Sequence, residues 1–208
     1  MNVDAQALRS QLFRSPTAFR AALASIAPAK RDAWIDRVLG IDDIPEDDAS
    51  LPRGCVPYLP APIAKLIQIA EHADVQASDV FVDIGSGLGR ATVLMHLMTG
   101  AAAIGIEIQP RLVLASRDLT TRVGTERVTV IEGDAAATPG LGMVGSVFFL
   151  YCPFSGARLA NVLAEIESIA RTRPVSVCCL DLPLPECSWL ALSSQPSEGL
   201  AIYRSTGA

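Results

Sequence analysis

A chain of 208 residues that is 50% hydrophobic and 19% charged has room for one domain of ordinary size plus an appendage, with enough apolar side chains for a real core. High apolar content with a net charge of only −5 excludes disorder over most of it, and 22 acidic against 17 basic residues give no strong nucleic-acid signal. No uninterrupted apolar run reaches the roughly 18 residues of a membrane span: the longest stretch, 141–154, is broken by Gly142, Gly145 and Pro153. A soluble, cytoplasmic protein of undetermined oligomeric state is therefore expected. The cysteines (Cys55, Cys152, Cys178, Cys179, Cys187) are odd in number with no CxxC pair, so they read as reduced thiols, with no disulfide framework and no metal site.

In chain order, residues 2–40 look helical. Phe19, Ala22, Leu23 and Ile26 repeat at helical spacing, as do Trp34/Val38 and Ile35/Leu39. Ser15-Pro16 supplies an N-cap and a first-turn proline, and Gly40 closes the section. The basic start (Arg9, Arg14, Arg20 against Asp4) reads as a surface helix rather than a transit peptide. Residues 41–53 are acidic and proline-punctuated, a linker or exposed loop. The expected division is a helical extension with its acidic linker over 1–50 and a main domain over 51–208.

The main domain alternates helix and strand. Ile63, Leu66, Ile67 and Ala70 mark a helix face; strands are predicted over 80–84, 103–108, 128–131, 146–151 and 175–180. Helices are predicted over 90–98, after Pro110, and along Leu159, Val162, Leu163, Ile166 and Ala170. Cys178 and Cys179, adjacent in a strand, must face opposite sides. Two last short strands, 189–193 and 200–204, have no room for a helix before them and form a hairpin. The pattern predicts an α/β fold: a Rossmann-like, doubly wound, seven-stranded sheet, mostly parallel with a terminal antiparallel hairpin.

The strongest signal is Val82-Asp83-Ile84-Gly85-Ser86-Gly87-Leu88-Gly89-Arg90, where the first strand gives way to a helix. Its glycines allow a sharp turn and a close backbone approach to a ligand at the helix N-terminus. The GxGxG spacing behind an acidic residue resembles motif I of the class I S-adenosylmethionine-dependent methyltransferases, although an ordinary tight turn would need the same glycines. Glu107 ends the second strand, where a carboxylate can accept both ribose hydroxyls of a nucleotide or simply cap the strand. Together with Val56-Pro57-Tyr58-Leu59-Pro60 and Gly105-Ile106-Glu107, the chain over about 54–183 is similar to the disruptor-of-telomeric-silencing type histone lysine methyltransferases and to the lysine methyltransferases of the ATP synthase c-subunit.

The resemblance implies S-adenosylmethionine as cofactor and S-adenosylhomocysteine as product. In Glu132-Gly133-Asp134-Ala135 it makes Asp134 the partner of the adenine amino group and the Ala135 amide a partner of the ring, with a plain turn aspartate as competitor. Cofactor-binding candidates are thus Asp83, Gly85, Ser86, Gly87, Gly89, Glu107, Asp134 and Ala135. Tyr151-Cys152-Pro153-Phe154 loosely resembles the Asn/Asp-Pro-Pro-Tyr motif of amino-methylating enzymes, but Tyr151 replaces the leading Asn or Asp, leaving a backbone carbonyl as the alternative acceptor. Tyr58 lies in the loop that would close over the methionine end of the cofactor, or is a buried connector aromatic. Asp181, ending the fifth strand before Pro183, would orient or deprotonate an acceptor, or cap a turn. Catalytic candidates are therefore Tyr151, Asp181 and Tyr58.

Methyl transfer from a sulfonium needs alignment more than acid–base help, and an amine acceptor buried beside a cation loses its proton readily. His72 and His96 have no partners at triad or metal spacing and read as structural. The expected function is methyl transfer to an amino acceptor, such as a protein lysine. The alternatives are a small-molecule methyltransferase and a non-catalytic cofactor-binding protein. An NAD-dependent dehydrogenase fits worst, since GxGxG and a terminal hairpin both depart from its pattern.

Overall fold

In the computed structural model, which describes residues 11–193 and 195–207, the apolar runs pair into one sheet. Its strands are β1 (Val80–Ile84), β2 (Ala102–Glu107), β3 (Val128–Glu132), β4 (Val147–Tyr151), β5 (Ser176–Leu180), β6 (Leu190–Leu192) and β7 (Leu200–Ser205). The order is β3-β2-β1-β4-β5-β7-β6. The first five strands are parallel, and β7 lies antiparallel to both β5 and β6, the expected Rossmann-like arrangement with its terminal hairpin. Strand order reverses between β1 and β4, so their carboxyl ends border the crevice where doubly wound sheets bind ligands.

Period-two alternation sorts the core onto two faces. Phe81, Phe149, Cys178, Leu180 and Ile202 pack on one face; Val82, Ile84, Phe148, Leu150, Val177 and Cys179 pack on the other. Cys178 and Cys179 divide between the faces as predicted. Burial pushes the Cys179 thiol up to about 12, with Cys187 adding to the rise, and raises Cys178 as well, so both stay protonated.

The first described helix, α1 (Pro16–Ser25), starts as predicted: the Ser15 side chain accepts from the Ala18 amide and Pro16 opens the first turn. The 3₁₀ turn Pro28–Lys30 separates it from α2 (Arg31–Leu39), which Gly40 ends at φ 70°. The part of the predicted helical section over 2–10 lies outside the described residues. Phe19, Leu23, Ile35 and Leu39 are buried in the same cluster as Phe81 and Phe149, so the amino-terminal helices share the main core.

Helix α3 (Ile63–His72) precedes the sheet, and α4 (Arg90–Thr99), α5 (Pro110–Val123) and α6 (Ala157–Ala170) connect its parallel strands. Arg90, 3% exposed, joins extension to sheet. Its Nε donates to Asp36 (2.7 Å), Nη2 to Asp32 (2.8 Å) and Nη1 to the Ala61 carbonyl (2.7 Å). Asp32 also accepts the Ile63 amide at 3.0 Å, capping α3 from a distance. Among the described residues no helix is long and apolar enough to cross a membrane.

Candidate active site

Past Ile84 the chain turns through Gly85 (φ 79°), Gly87 (φ 57°) and Gly89 (φ 80°), with the Gly85 and Ser86 amides both donating to the Ile106 carbonyl. A Cβ on Gly85 would stand 2.7 Å from Pro153, and one on Gly87 would stand 1.9 Å from the Tyr58 ring. Glycine is thus demanded by close approach as well as by φ. Asp83 lies beneath the turn, 3% exposed, its Oδ2 accepting from Thr92 Oγ1 at 2.8 Å. Burial raises its carboxyl to about 7, the Thr92 hydrogen bond opposing the rise and the Glu107 charge adding to it. The Ser86 and Ser116 hydroxyls are buried without hydrogen-bond partners among the described residues.

Glu107 faces the cleft and is 5% exposed. Its Oε2 accepts the Gly87 amide, and its Oε1 accepts the amides of Ile108 and Gln109, each at 2.8 Å. Burial raises its pKa while these donors oppose the rise. Gln109 extends the array in a way no motif announced. Its Nε2 donates to Asp47 Oδ1 at 2.7 Å, and its Oε1 accepts the Asp48 amide at 2.7 Å. Asp47 Oδ1 also takes the Tyr58 amide at 2.9 Å. The acidic stretch read as a linker is therefore a strap clasped to the end of β2, and it holds Tyr58 against Gly87. Burial raises the Tyr58 hydroxyl pKa, and that hydroxyl has no hydrogen-bond partner among the described residues.

The far wall is Gly133-Asp134-Ala135 after β3. Asp134 Oδ1 accepts the Ala136 amide at 3.0 Å and pairs with Arg158 Nη2. Partial burial would raise the Asp134 pKa, but the Arg158 hydrogen bond and the backbone amides outweigh it and hold the carboxyl below its usual range. Arg158 lies 5.6 Å from the Phe154 ring centroid. At the end of β4 Tyr151 lines the cleft; beyond it Cys152 takes φ 33°, and the Pro153 carbonyl accepts the Val56 amide at 3.1 Å. The Pro153 carbonyl is thereby engaged by the strap.

The structure thus gathers Tyr58, Gly85, Glu107, Asp134, Ala135 and Tyr151 around one cleft at the carboxyl ends of β1 to β4. Asp83, Ser86, Gly87 and Gly89 support that cleft from beneath or behind rather than lining it. Asp181, exposed at φ 49°, lines a neighbouring apolar depression with Cys152, Phe154, Leu182 and Pro183, and its charge contributes to raising Tyr151, after burial. Arg158 and Gln109 also line the cleft, although sequence reasoning named neither. His96 is bonded at both ring nitrogens, to the Ala101 carbonyl (2.8 Å) and the Thr125 hydroxyl (3.1 Å), a structural role.

Comparison with known proteins agrees with this geometry. The profile of the family described as Histone methylation protein DOT1 matches residues 61–122, less than a third of the chain. An RNA methyltransferase from Salinibacter ruber, solved in complex with S-adenosyl-L-homocysteine, superimposes with a TM-score of 0.53 at 26% identity, over 71% of this chain and 92% of that one. A mutant of MtNAS in complex with S-adenosylmethionine gives a TM-score of 0.55 at 16% identity, over 70% of this chain but only 63% of its own. No curated protein matches the sequence. The fold is that of the class I S-adenosylmethionine-dependent methyltransferases, and the resemblance carried by residues 82–90 holds at the level of that superfamily.

Proposed function

We propose that this chain binds S-adenosylmethionine in the cleft at the β1/β4 switch point and catalyses methyl transfer to an amino acceptor. One observation carries the reading: a carboxylate at the end of β2, another after β3 and a glycine turn after β1 converge on one cleft, with Tyr151 at its β4 end. The residues fit the cofactor. Glu107 offers a carboxylate already oriented by three amides, and Asp134 and Ala135 line the same cleft, where they would offer a purine edge an acceptor and a donor.

When bound, the cofactor supplies a methyl group already activated by its sulfonium. Glu107, whose Oε2 accepts a single amide, would hold one ribose hydroxyl, and Asp134 would hold the base. Tyr58, laid over Gly87 by the strap, would exclude water from that end of the cleft. Tyr151 is pushed up by burial, then by Asp181 and Cys152, so its hydroxyl stays protonated at neutral pH and serves as a donor. Asp181 sits beyond Tyr151 in the neighbouring depression, where its carboxylate would attract an amine. A protein lysine is the acceptor suggested by the partial DOT1 match. An RNA base amine is the second reading, supported by the RNA methyltransferase that shares this fold along nearly its whole length.

The test is transfer of labelled methyl groups from S-adenosylmethionine into a size-fractionated extract of the source cells. Release of label by protease supports a protein acceptor, release by ribonuclease supports RNA, and label among small molecules removes both. Cofactor binding without transfer would establish the non-catalytic alternative.

A further inference from the structure

Arg158 stands in the first turn of α6, and its side chain meets the cleft at the base end. Its Nη2 is bonded to Asp134 Oδ1, and both side chains are partly buried, 21% and 22% exposed. The guanidinium also lies 5.6 Å from the Phe154 ring centroid, which limits its freedom to leave Asp134. Asp134 itself is tied by the Ala136 amide at 3.0 Å. The carboxylate is therefore held in one orientation by groups from two elements, the turn after β3 and the start of α6.

We propose that Arg158 is a positioning and specificity residue for the base of the bound nucleoside: by pairing with one oxygen of Asp134 it holds that carboxylate in place as an acceptor, so that the site takes a 6-amino purine and rejects a 6-oxo purine. This rests on the S-adenosylmethionine reading above. The chemistry is direct. An ionised carboxylate accepts from an exocyclic amine but repels a carbonyl oxygen, whereas a protonated carboxyl can donate to that carbonyl. Burial alone would raise the Asp134 pKa; the Arg158 hydrogen bond contributes most to reversing the rise. Among the described residues, the other titratable groups lining the cleft are the Cys55 thiol, beside Arg158, Glu107 at the end of β2, and the Tyr58 and Tyr151 hydroxyls.

The experiment compares affinities for S-adenosylhomocysteine and S-inosylhomocysteine by calorimetry at pH 5.5 and pH 7.5, in the wild-type protein and in Arg158→Ala and Arg158→Lys. Wild-type protein should prefer the adenosyl compound equally at both pH values. Arg158→Ala should reduce the preference about 10-fold or more at both pH values, the scale of a charge-assisted hydrogen bond. Arg158→Lys keeps the charge and should retain most of the preference, whereas Arg158→Gln removes the charge and serves as the probe if the alanine variant does not fold. A preference unchanged in folded Arg158→Ala, or in folded Arg158→Gln, overturns the proposal and leaves the cofactor reading standing. Wild-type protein that binds neither nucleoside overturns both.

Discussion

Glu107 is both an expected ligand group and a structural hub. A glutamine in its place must turn its NH₂ toward a backbone N–H, whichever way the amide lies, because both oxygens of the carboxylate accept amides. Glu107→Gln should weaken S-adenosylhomocysteine binding by about 1.5–3 kcal/mol in calorimetry on folded protein; unchanged affinity would remove Glu107 from the site. Asp83 acts differently. Its carboxyl is raised from the ordinary 3.8 to about 7 by burial, against the Thr92 hydrogen bond and with the Glu107 charge adding. The folded state therefore holds this proton more tightly than the unfolded state does. Its contribution to stability is complete below pH 3.8 and is lost as pH rises through about 7. Asp83→Asn keeps an acceptor for Thr92 and cannot ionise. At pH 8 the variant should be more stable than wild type by about 2–4 kcal/mol, since each tenfold in proton affinity is worth about 1.4 kcal/mol. Denaturant midpoints should converge as pH falls toward 4, and a pH-independent difference would overturn the assignment.

At the scale of elements, the strap over 41–60 is the part whose role changed most between sequence and structure. The acidic, proline-punctuated composition of 41–53 reads as a linker or exposed loop, and much of 41–60 is exposed. Asp47 and Asp48 nevertheless bind Gln109 on both sides of its amide, and the Asp47 carboxylate fixes Tyr58. Gln109→Ala should cost about 1–2 kcal/mol and speed proteolytic cleavage within 41–60 while leaving the sheet intact. A double-mutant cycle with Asp47→Ala should show a coupling of about 1 kcal/mol, because both changes break the same clasp; additive effects would mean that the strap is held elsewhere. Of the predicted elements, the parallel strands were the most legible. Continuous apolar runs bounded by Gly, Pro or Asp admit few other interpretations, and the second strand moved by one residue, from 103–108 to Ala102–Glu107. Side-chain partners were not legible in this way. Asp134 reads as a free acceptor along the sequence, and only the start of α6 shows that Arg158 shares it.

Across the whole molecule, Arg90 joins the amino-terminal helices to the sheet, and the two sides of that contact differ in burial. The Arg90 side chain is 4% exposed, whereas Asp32 and Asp36 are 51% and 40% exposed. Arg90→Met leaves two carboxylates that water can reach. Asp32→Asn with Asp36→Asn leaves a buried guanidinium without charged partners, the costlier state. The double variant should therefore be the less stable of the two, by about 1–2 kcal/mol in denaturant midpoints; the reverse order would place the charge balance elsewhere. What the sequence determined by itself was local: the Ser15-Pro16 cap, the glycine turn after β1, the strand alternation and, through that alternation, a doubly wound sheet. Those features depend on neighbouring residues and on two fixed periodicities, so they can be read without a partner. Tertiary structure decided which distant groups meet: Asp47 with Gln109, Tyr58 with Gly87, Arg90 with Asp32 and Asp36, Arg158 with Asp134. Each pair joins side chains or turns from separate elements, and their meeting depends on strand order and helix placement, which no local pattern along the chain encodes.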